Sequence, residues 1–385
     1  MRIENIETYV LRYKIDKTYG GCSKGMPKER SALLIKIITD NGIEGWGEAG
    51  QTSHPEFPQV IIRELFADFL IGKDPWNTEK IWEDLYDLCR DYGQKGPVIE
   101  ALSGIDIALW DIKGKTTKLP VYKLLGGKFR DRIMAYPCGL YHRECDNLIE
   151  ILVKEAKQYV EQGFKAIKMK IGGRSPEEDF RTIKAIRETV GEEVKLMADA
   201  NHAYNAYTAI KVGKELEKYN FSWFEEPVPP EDIEGYLRIK EILSIPIAGG
   251  ECEYTRFGFK NLISKRAVDI VQPDVSTAGG FTECKKIAAI ANTWGVQCIP
   301  HVWASAVGLA AAIQLIASLP NCPSCHYLFP FYQEPVLEFD CNPNPLRKEL
   351  ISIPFTAREG FVEIPTKPGL GIDIEKSVLK KYLAS

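Results

Sequence analysis

Seven short apolar segments recur between residues 135 and 303, and stretches with helical periodicity separate them. Their first residues are 23 to 31 positions apart, which is the span of one strand, one helix and their connections. Alternation of this kind predicts a parallel β-sheet covered by helices. The segments are AYPCG, AIKMKI, KLMADA, SWFEEP, IPIAGGE, DIVQPD and QCIPHVW. With VLEF at 336–339 as an eighth strand, the pattern predicts an α/β protein with a (β/α)8 barrel.

Local signals between the strands agree with a barrel. Ser175, Pro176 and Glu178 carry the signature of a capping box, which starts a helix soon after AIKMKI. The alternative architecture is an open, doubly wound sheet. No strand is followed by a GxGxxG or GxxxxGK[ST] fingerprint, so we expect the barrel.

The residues before the barrel follow a different pattern. Two strand-like stretches come first, and the turn at 40–42 (Asp-Asn-Gly) makes the second a hairpin. Three helical stretches follow, which predicts an α+β unit. After about residue 355 a strand-like segment is predicted to rejoin this unit. We therefore predict a capping domain at 1–128, a barrel at 129–354 and a C-terminal segment at 355–385.

The composition argues against several classes of function. The 385 residues have a formal net charge of −4, and no basic tract suggests nucleic-acid binding. The longest apolar run, 306–319, is shorter than the roughly 20 residues that a membrane span needs, so it predicts a buried helix. No signal-peptide pattern is present, and the ten cysteines fit reduced thiols in the cytoplasm. Cys322 and Cys325 have metal-ligand spacing, but no second pair accompanies them.

Three acidic residues end three successive predicted strands. Asp199, Glu225 and Glu251 are 26 residues apart each time, and the strand ends of a barrel meet at the rim where active sites lie. Carboxylates that converge there repel one another, and a hard divalent cation relieves the repulsion. The all-oxygen set predicts Mg²⁺, one ion per subunit, with open positions for water and substrate. The alternative is that each acid caps the helix after its strand.

A histidine and an aspartate end the next two neighbouring strands. His301, one of five histidines, ends the seventh segment, and Asp274 ends the sixth. A carboxylate bonded to one imidazole nitrogen raises the basicity of the other, so the pair predicts a general base. A buried structural pair is the alternative.

Lys168 and Lys170 lie two positions apart in AIKMKI, so on a strand their side chains point the same way. A lysine beside a second cation and near Mg²⁺ has its neutral form favoured, which predicts that Lys170 is a base near neutral pH. One alternative is that both ammonium groups reach solvent at the barrel rim. Another is a Schiff-base lysine, a chemistry that does not require the three carboxylates.

Bases on both sides of a metal-held substrate indicate one class of reaction. The metal ion binds a substrate carboxylate and stabilises the enediolate that forms when the α-proton leaves. Lys170 and His301 would flank the substrate. One would abstract the proton, and the other would return it or assist the departure of a β-oxygen.

These residues resemble the enolase superfamily, and within it the mandelate racemase subgroup. The resemblance covers essentially the whole chain and implies a modified TIM barrel, (β/α)7β, with an α+β capping domain. It implies three Mg²⁺ ligands, two bases and an auxiliary lysine that lowers the pKa of Lys170; these are Asp199, Glu225 and Glu251, then Lys170 and His301 paired with Asp274, then Lys168. The motifs are KMK at 168–170, DAN at 199–201, WFEEP at 223–227, GGE at 249–251, QPD at 272–274 and HVW at 301–303.

The resemblance also bears on substrate contacts. Glu338 matches the position of an acid that bonds the substrate carboxylate, although the insertion CHYLFPFYQEP precedes it. His202 and Trp303 at strand ends are predicted contacts with a polyhydroxylated acid. Tyr19 and Lys24 are predicted contacts from the loop 17–30, whose glycines predict a mobile lid that excludes water.

Within the subgroup, the motifs are most similar to the sugar-lactone cycloisomerases, which open an oxygen ring by β-elimination. The segments ECEYTRFGF and ASA depart from that pattern and leave the substrate open. The alternatives are an acid-sugar dehydratase, a racemase or epimerase, and a non-catalytic barrel. The resemblance implies a small-molecule sugar acid as substrate and a homo-oligomer, from dimer to octamer.

Overall fold

The N-terminal part of the chain is an antiparallel sheet covered by helices. The computed structural model describes residues 1–15, 20–50 and 54–384. Three strands pair in chain order: β1 (Ile3–Lys14), β2 (Glu29–Thr39) and β3 (Glu44–Ala49). The helices are α1 (Glu56–Ile61), α2 (Ala67–Leu70), α3 (Thr78–Cys89), α4 (Pro97–Thr117) and α5 (Val121–Leu124), with a π-helical turn (Ile62–Phe66) between the first two. The predicted α+β capping unit is confirmed, including the hairpin between β2 and β3.

Eight parallel strands and the seven helices between them form a (β/α)7β barrel, as predicted. The strands are β4 (Arg132–Gly139), β5 (Ala166–Lys170), β6 (Lys195–Asp199), β7 (Phe221–Glu225), β8 (Ile247–Gly249), β9 (Ile270–Val271), β10 (Gln297–Cys298) and β11 (Leu337–Asp340). The helices are α6 (Leu148–Glu161), α7 (Pro176–Val190), α8 (Ala206–Lys218), α9 (Ile233–Ile242), α10 (Thr255–Ser264), α11 (Gly280–Thr293) and α12 (Ala306–Ser318), and α13 (Pro345–Lys348) follows β11.

Successive barrel strands pair in parallel from β4 to β10, and β11 pairs with β4. Between β10 and β11 the described residues form no strand ladder. A side chain bridges this gap instead, because the Val302 N–H donates to Glu338 Oε2 at 3.1 Å. Closure of the barrel therefore involves one of the predicted site residues.

The barrel interior contains an apolar layer beneath a polar one. The apolar layer takes one residue from each strand or its flank: Tyr136, Ala166, Met197, Trp223, Ala248, Ile270, Ile299 and Val336. Side chains two positions apart on a strand point the same way. The polar layer therefore stands two residues further along the same segments and contains Lys168, Asp199, Glu225, His301 and Glu338.

Two local predictions about helices are confirmed. Ser175 and Glu178 form the capping box at the start of α7, with Pro176 in the first turn. The apolar run that begins at Ala306 is α12, and all of its residues are buried. Within residues 1–15, 20–50 and 54–384, no helix has both the length and the apolar character to cross a membrane.

The C-terminal segment contacts the barrel before it reaches the capping unit. It contains β12 (Ala357–Arg358), β13 (Phe361–Glu363) and α14 (Lys376–Tyr382), and β13 pairs antiparallel with β4. Its last described residue, Ala384, donates its N–H to the Val10 carbonyl at 2.8 Å. The segment thus returns to β1, and the exact domain boundaries stay a prediction.

Candidate active site

Lys168 lies at the centre of a buried ion-pair cluster. Its side chain is fully buried, and its Nζ lies 2.6 Å from Glu225 Oε1, 2.8 Å from Glu338 Oε1 and 3.5 Å from Asp199 Oδ2. Burial alone would lower the pKa of this lysine, but Glu225 and Glu338 outweigh it and hold the pKa well above its ordinary value. The alternative in which this ammonium group reaches solvent is wrong.

Lys170 stands one step closer to the cavity. Its ammonium group contacts the Asp199 carboxylate and donates to Asn201 Oδ1 at 2.9 Å. Burial lowers its pKa, yet the attraction of Asp199 exceeds this effect, so the pKa is raised well above 10.5. The predicted neutral form of Lys170 also depends on the charge of a bound Mg²⁺, so it stays a prediction. Lys168 does act in the predicted direction, but the closer carboxylate has the larger effect.

The three predicted metal ligands converge. One carboxylate oxygen from each of Asp199, Glu225 and Glu251 lies within 4.8 Å of the other two. None of them caps the helix after its strand, because α8, α9 and α10 begin after Asn205, Asp232 and Tyr254. The helix-cap alternative is therefore wrong.

The charges of these carboxylates are unequal. Asp199 has a lowered pKa, because the two lysines outweigh the effect of its burial. Burial raises the pKa of Glu225 to about 7, although Lys168 opposes this shift. Glu251 Oε2 is buried and has no hydrogen-bond partner among the described residues. A cluster of this kind has room for a cation that would satisfy the unpaired oxygen.

His301 and Asp274 are paired as predicted. The Nδ1 atom of His301 lies 2.8 Å from Asp274 Oδ2, and the Ser276 N–H donates to the other carboxylate oxygen at 2.7 Å. The Nε2 atom faces Glu251 Oε2 at 3.5 Å and Glu338 Oε2 at 3.9 Å. Burial lowers the pKa of the imidazole, but Glu251, Glu338 and Asp274 together raise it to about 9.

A cavity of about 410 Å³ brings several predicted residues together. Lys170, Glu251, His301 and Glu338 line it from the barrel, with Trp303 beside them. The Arg30 guanidinium stacks on the Trp303 ring at 3.6 Å and pairs with Asp340 at 2.6 Å. Long-range contacts therefore fix the orientation of this indole.

Residues 20–27, which precede β2, close the cavity from the side of the capping unit. Gly21 and His142 exchange backbone hydrogen bonds of 2.8 and 2.9 Å, and Ser23 Oγ donates to the Ala200 carbonyl at 2.7 Å. Gly20 has φ +90°, and a Cβ on it would lie 2.8 Å from the His142 carbonyl, so this close approach requires glycine. The exposed Lys24 lines the cavity, and its contact with a substrate stays a prediction. Tyr19 lies outside the described residues, and the mobility of the lid stays a prediction.

One predicted contact and several other residues occupy unexpected positions. His202 does not line the cavity, because its imidazole turns towards Glu226 and Cys252. Asn201 was not predicted as a site residue, yet it donates to Glu251 Oε1 at 3.3 Å and accepts from Lys170. The one sequence signal that could have identified Asn201 as a site residue is its position two residues after Asp199.

Glu48 of β3 accepts hydrogen bonds from the Ser305 N–H and O–H, and no local sequence pattern predicts that contact.

Comparison with known families matches both structural units. Residues 8–126 match "Mandelate racemase / muconate lactonizing enzyme, N-terminal domain". Residues 152–378 match "Enolase C-terminal domain-like". The two matches together span the capping unit and most of the barrel.

Three relatives extend the likeness over nearly the entire chain. The sequence is 40% identical over 382 residues to D-galactarolactone cycloisomerase of Agrobacterium fabrum, with 99% of each protein covered. It is 37% identical over 379 residues to arabinonate dehydratase of Saccharolobus solfataricus, which covers 95% of this chain and 98% of that protein. The crystal structure of 3,6-anhydro-D-galactonate cycloisomerase from Zobellia galactanivorans is similar with a TM-score of 0.89, 41% identity and complete coverage of both chains.

Proposed function

The chain belongs to the mandelate racemase / muconate lactonizing enzyme family of the enolase superfamily, and from this premise we propose that it is a cycloisomerase of sugar acids. It removes the proton α to the carboxylate of a sugar-acid lactone or anhydro sugar acid and then expels the ring oxygen from the β-position. The observation that carries the proposal is that Lys170 and His301 line one cavity together with Glu251. The two relatives named as cycloisomerases support ring opening.

The carboxylate cluster fits Mg²⁺. Asp199, Glu225 and Glu251 offer only oxygen ligands, and the buried Oε2 of Glu251 has no hydrogen-bond partner among the described residues. Mg²⁺ held by these three side chains, one ion per subunit, would supply positive charge beside the substrate carboxylate. Asn201 would orient Glu251 through its 3.3 Å hydrogen bond.

Two protein atoms are available to handle the protons. The Nδ1 atom of His301 is paired with Asp274, so Nε2 is the ring nitrogen that remains available, and it faces Glu251 Oε2. The Nζ atom of Lys170 is held by Asp199 and Asn201. Among the protein's own charges both groups hold their protons at neutral pH. Mg²⁺ at the neighbouring carboxylates would lower the pKa of each, so that one group accepts the α-proton and the other donates a proton to the departing ring oxygen. The loop at 20–27 covers the cavity and limits the access of water to the intermediate.

The proposal is tested with a panel of sugar-acid lactones, anhydro sugar acids and open-chain sugar acids. Products are identified by NMR and mass spectrometry in D₂O with Mg²⁺. Ring opening conserves the mass of the substrate apart from deuterium uptake. Activity should disappear on chelation and return when Mg²⁺ is added. A panel that yields neither product nor deuterium exchange would favour the non-catalytic barrel instead.

Single variants separate the roles of the two bases. Lys170→Met and His301→Asn should each reduce kcat by about 10²–10⁴-fold, the usual contribution of acid–base catalysis. The variant that lacks the abstracting base should lose exchange of the α-proton with solvent deuterium. The variant that lacks only the acid should keep exchange and lose ring opening. Lys165→Met, an exposed lysine just before β5, is the matched control and should keep full activity.

A dehydratase is the second candidate. The relative named arabinonate dehydratase, at 37% identity, supports it. Both reactions would use the same bases and expel a β-oxygen, but a dehydratase releases that oxygen as water from an open-chain acid. Loss of 18 mass units, the mass of one water, from an aldonate or aldarate with no turnover of the cyclic substrates would replace the cycloisomerase proposal. Exchange without elimination would indicate a racemase or epimerase.

A further inference from the structure

A second group of potential metal ligands lies beside the three carboxylates and contains softer donors. His202 Nε2, Cys252 Sγ and one oxygen each from Glu226 and Glu251 lie within 4.8 Å of one another. Only Glu251 takes part in the reaction described above. We propose that these four side chains form a second cation site, selective for a borderline or soft divalent ion such as Zn²⁺.

The Glu226 carboxylate is the main indication of a ligand. It is 1% exposed, and neither oxygen has a hydrogen-bond partner within the described residues. His202 Nε2 lies 2.5 Å from Glu226 Oε2, but this is a charge contact without hydrogen-bond geometry. Burial of a carboxylate without hydrogen bonds is unfavourable, and a bound cation would satisfy its oxygens.

The positions of the nitrogen and the sulfur fit tetrahedral coordination. His202 Nε2 and Cys252 Sγ are 3.6 Å apart. Zinc–nitrogen and zinc–sulfur bonds of about 2.0 and 2.3 Å at a tetrahedral angle place the two atoms about 3.5 Å apart. The contact between His202 and Glu226 would have to open to about 3.4 Å, the separation that two ligands about 2.1 Å from the ion require.

The donor set explains the selectivity. A thiolate and an imidazole are ligands that zinc binds well, whereas Mg²⁺ prefers oxygen alone. Binding would release the Cys252 thiol proton, since only the thiolate is a good ligand. Two positive charges oppose a second cation: Lys24, which is exposed on the loop, and His301, whose Nε2 lies 3.5 Å from Glu251 Oε2. The four protein ligands therefore have to outweigh both charges.

Glu251 links this site to the neighbouring carboxylates. Glu251 is also one of the three ligands assigned above to Mg²⁺. A soft ion bound by Glu251 would therefore compete for that ligand, and its binding should weaken Mg²⁺ binding. The expected weakening of Mg²⁺ binding rests on the proposed function. The existence of the second site does not rest on it, because the four side chains can be probed spectroscopically without any substrate.

The test uses Co²⁺ as a probe of the full-length protein, under anaerobic conditions and with a reductant that does not bind metals. Wild-type protein should show a saturable near-ultraviolet band from charge transfer between thiolate and Co²⁺, and Zn²⁺ should abolish the band. Cys252→Ser should lack the band. Cys22→Ser should keep it, because Cys22 lines the same cavity but belongs to neither ligand group.

Two further variants make the result decisive. Asp199→Asn removes a ligand of the three-carboxylate group and none of the four proposed ligands of the second site. It should keep the band, so a failure of the proposed function is distinguishable from a failure of this site. His202→Gln should weaken Co²⁺ binding by about tenfold or more, which provides a second measurement if Cys252→Ser does not fold. Absence of the band from the wild type, its persistence in Cys252→Ser, or unchanged affinity in His202→Gln would overturn the proposal.

Discussion

Lys168 holds a full charge in a place that water does not reach. Its side chain is fully buried between Glu225 and Glu338, which lie 2.6 and 2.8 Å from its Nζ. Removal of one partner from a buried ion pair leaves an uncompensated charge, and the usual loss of stability is about 3–5 kcal/mol. Lys168 is therefore expected to stabilise the barrel interior as well as the site.

We expect Lys168→Met to lower the free energy of unfolding by about 3 kcal/mol, since two buried acids lose their cation. Urea unfolding at neutral pH in the presence of a chelator measures the effect. The control is Lys211→Met, which removes an exposed lysine 2.7 Å from Glu177 and should change stability by less than about 1 kcal/mol. Equal and small losses in the two variants would mean that the buried pair contributes little.

The sequence was sufficient to predict where the site carboxylates lie, but not which charged groups determine the pKa of each neighbour. The equal spacing of Asp199, Glu225 and Glu251 was sufficient to predict their convergence, because parallel strands end at one rim. The pKa of Lys170 depends instead on which carboxylate comes closest, and Asp199 reaches it directly. Distances of this kind arise from tertiary packing, so the sequence could not predict that Asp199 outweighs Lys168 in its effect on the pKa of Lys170. The metal-ligand and base assignments themselves stay predictions.

At the level of elements, α4 joins the capping unit to the barrel through a buried carboxyl group. Asp106 of α4 is 2% exposed and accepts hydrogen bonds from the Thr282 N–H at 3.0 Å and O–H at 2.5 Å, at the start of α11. Burial raises the pKa of Asp106 to about 7, although Thr282 opposes the shift. Between about pH 4 and pH 7, the Asp106 carboxyl group therefore keeps its proton in the folded protein but has lost it in the unfolded chain.

We expect Asp106→Asn to change how stability depends on pH. The unfolded carboxyl group titrates near pH 4, whereas the folded one titrates at about 7, so the wild type loses stability as the pH rises from about 4 to 7. Asparagine can accept from the Thr282 N–H and donate to its hydroxyl without titrating. The stability of the variant relative to wild type should therefore rise over this window, by at most about 4 kcal/mol, and stay constant above it.

Urea unfolding at several pH values between 4 and 8 measures this difference. Asp91→Asn, an exposed carboxylate in the same unit, is the control. Its stability relative to wild type should vary little over the same range. A difference for Asp106→Asn that is flat, or that falls as the pH rises, would show that the carboxyl group is charged at the interface.

The pattern of elements was predictable to different degrees. Strand order followed from the regular repeat, and α7 and α12 followed from a capping box and an apolar run. The pairing of β13 with β4 was not predicted. Residues near 362 and 133 are too far apart in the chain for any local periodicity to connect them. The two-residue strands β9 and β10 are shorter than their apolar segments, because the segments continue past the ladder towards the rim.

Over the whole molecule, the hydrophobic core of the barrel extends into the capping unit. Leu34 and Trp46 of the antiparallel sheet and Ile107 of α4 belong to the same buried cluster as the barrel residues. The other face of the sheet has its own cluster, which includes Leu33. Neighbouring residues of β2 therefore serve two cores. Chains with two units often unfold in separate steps, but a shared core favours a single step.

Leu33→Ala and Leu34→Ala test this coupling, because both leucines are completely buried and they face opposite cores. Each substitution should lower the free energy of unfolding by about 2–5 kcal/mol. Two buried cysteines report on the units separately: Cys89 in α3 and Cys284 in α11. Peptide-resolved alkylation across a urea series should give the same midpoint for both thiols in the wild type, and both midpoints should fall together in each variant. If Leu33→Ala lowered the Cys89 midpoint and left that of Cys284 unchanged, the two units would unfold independently despite the core they share.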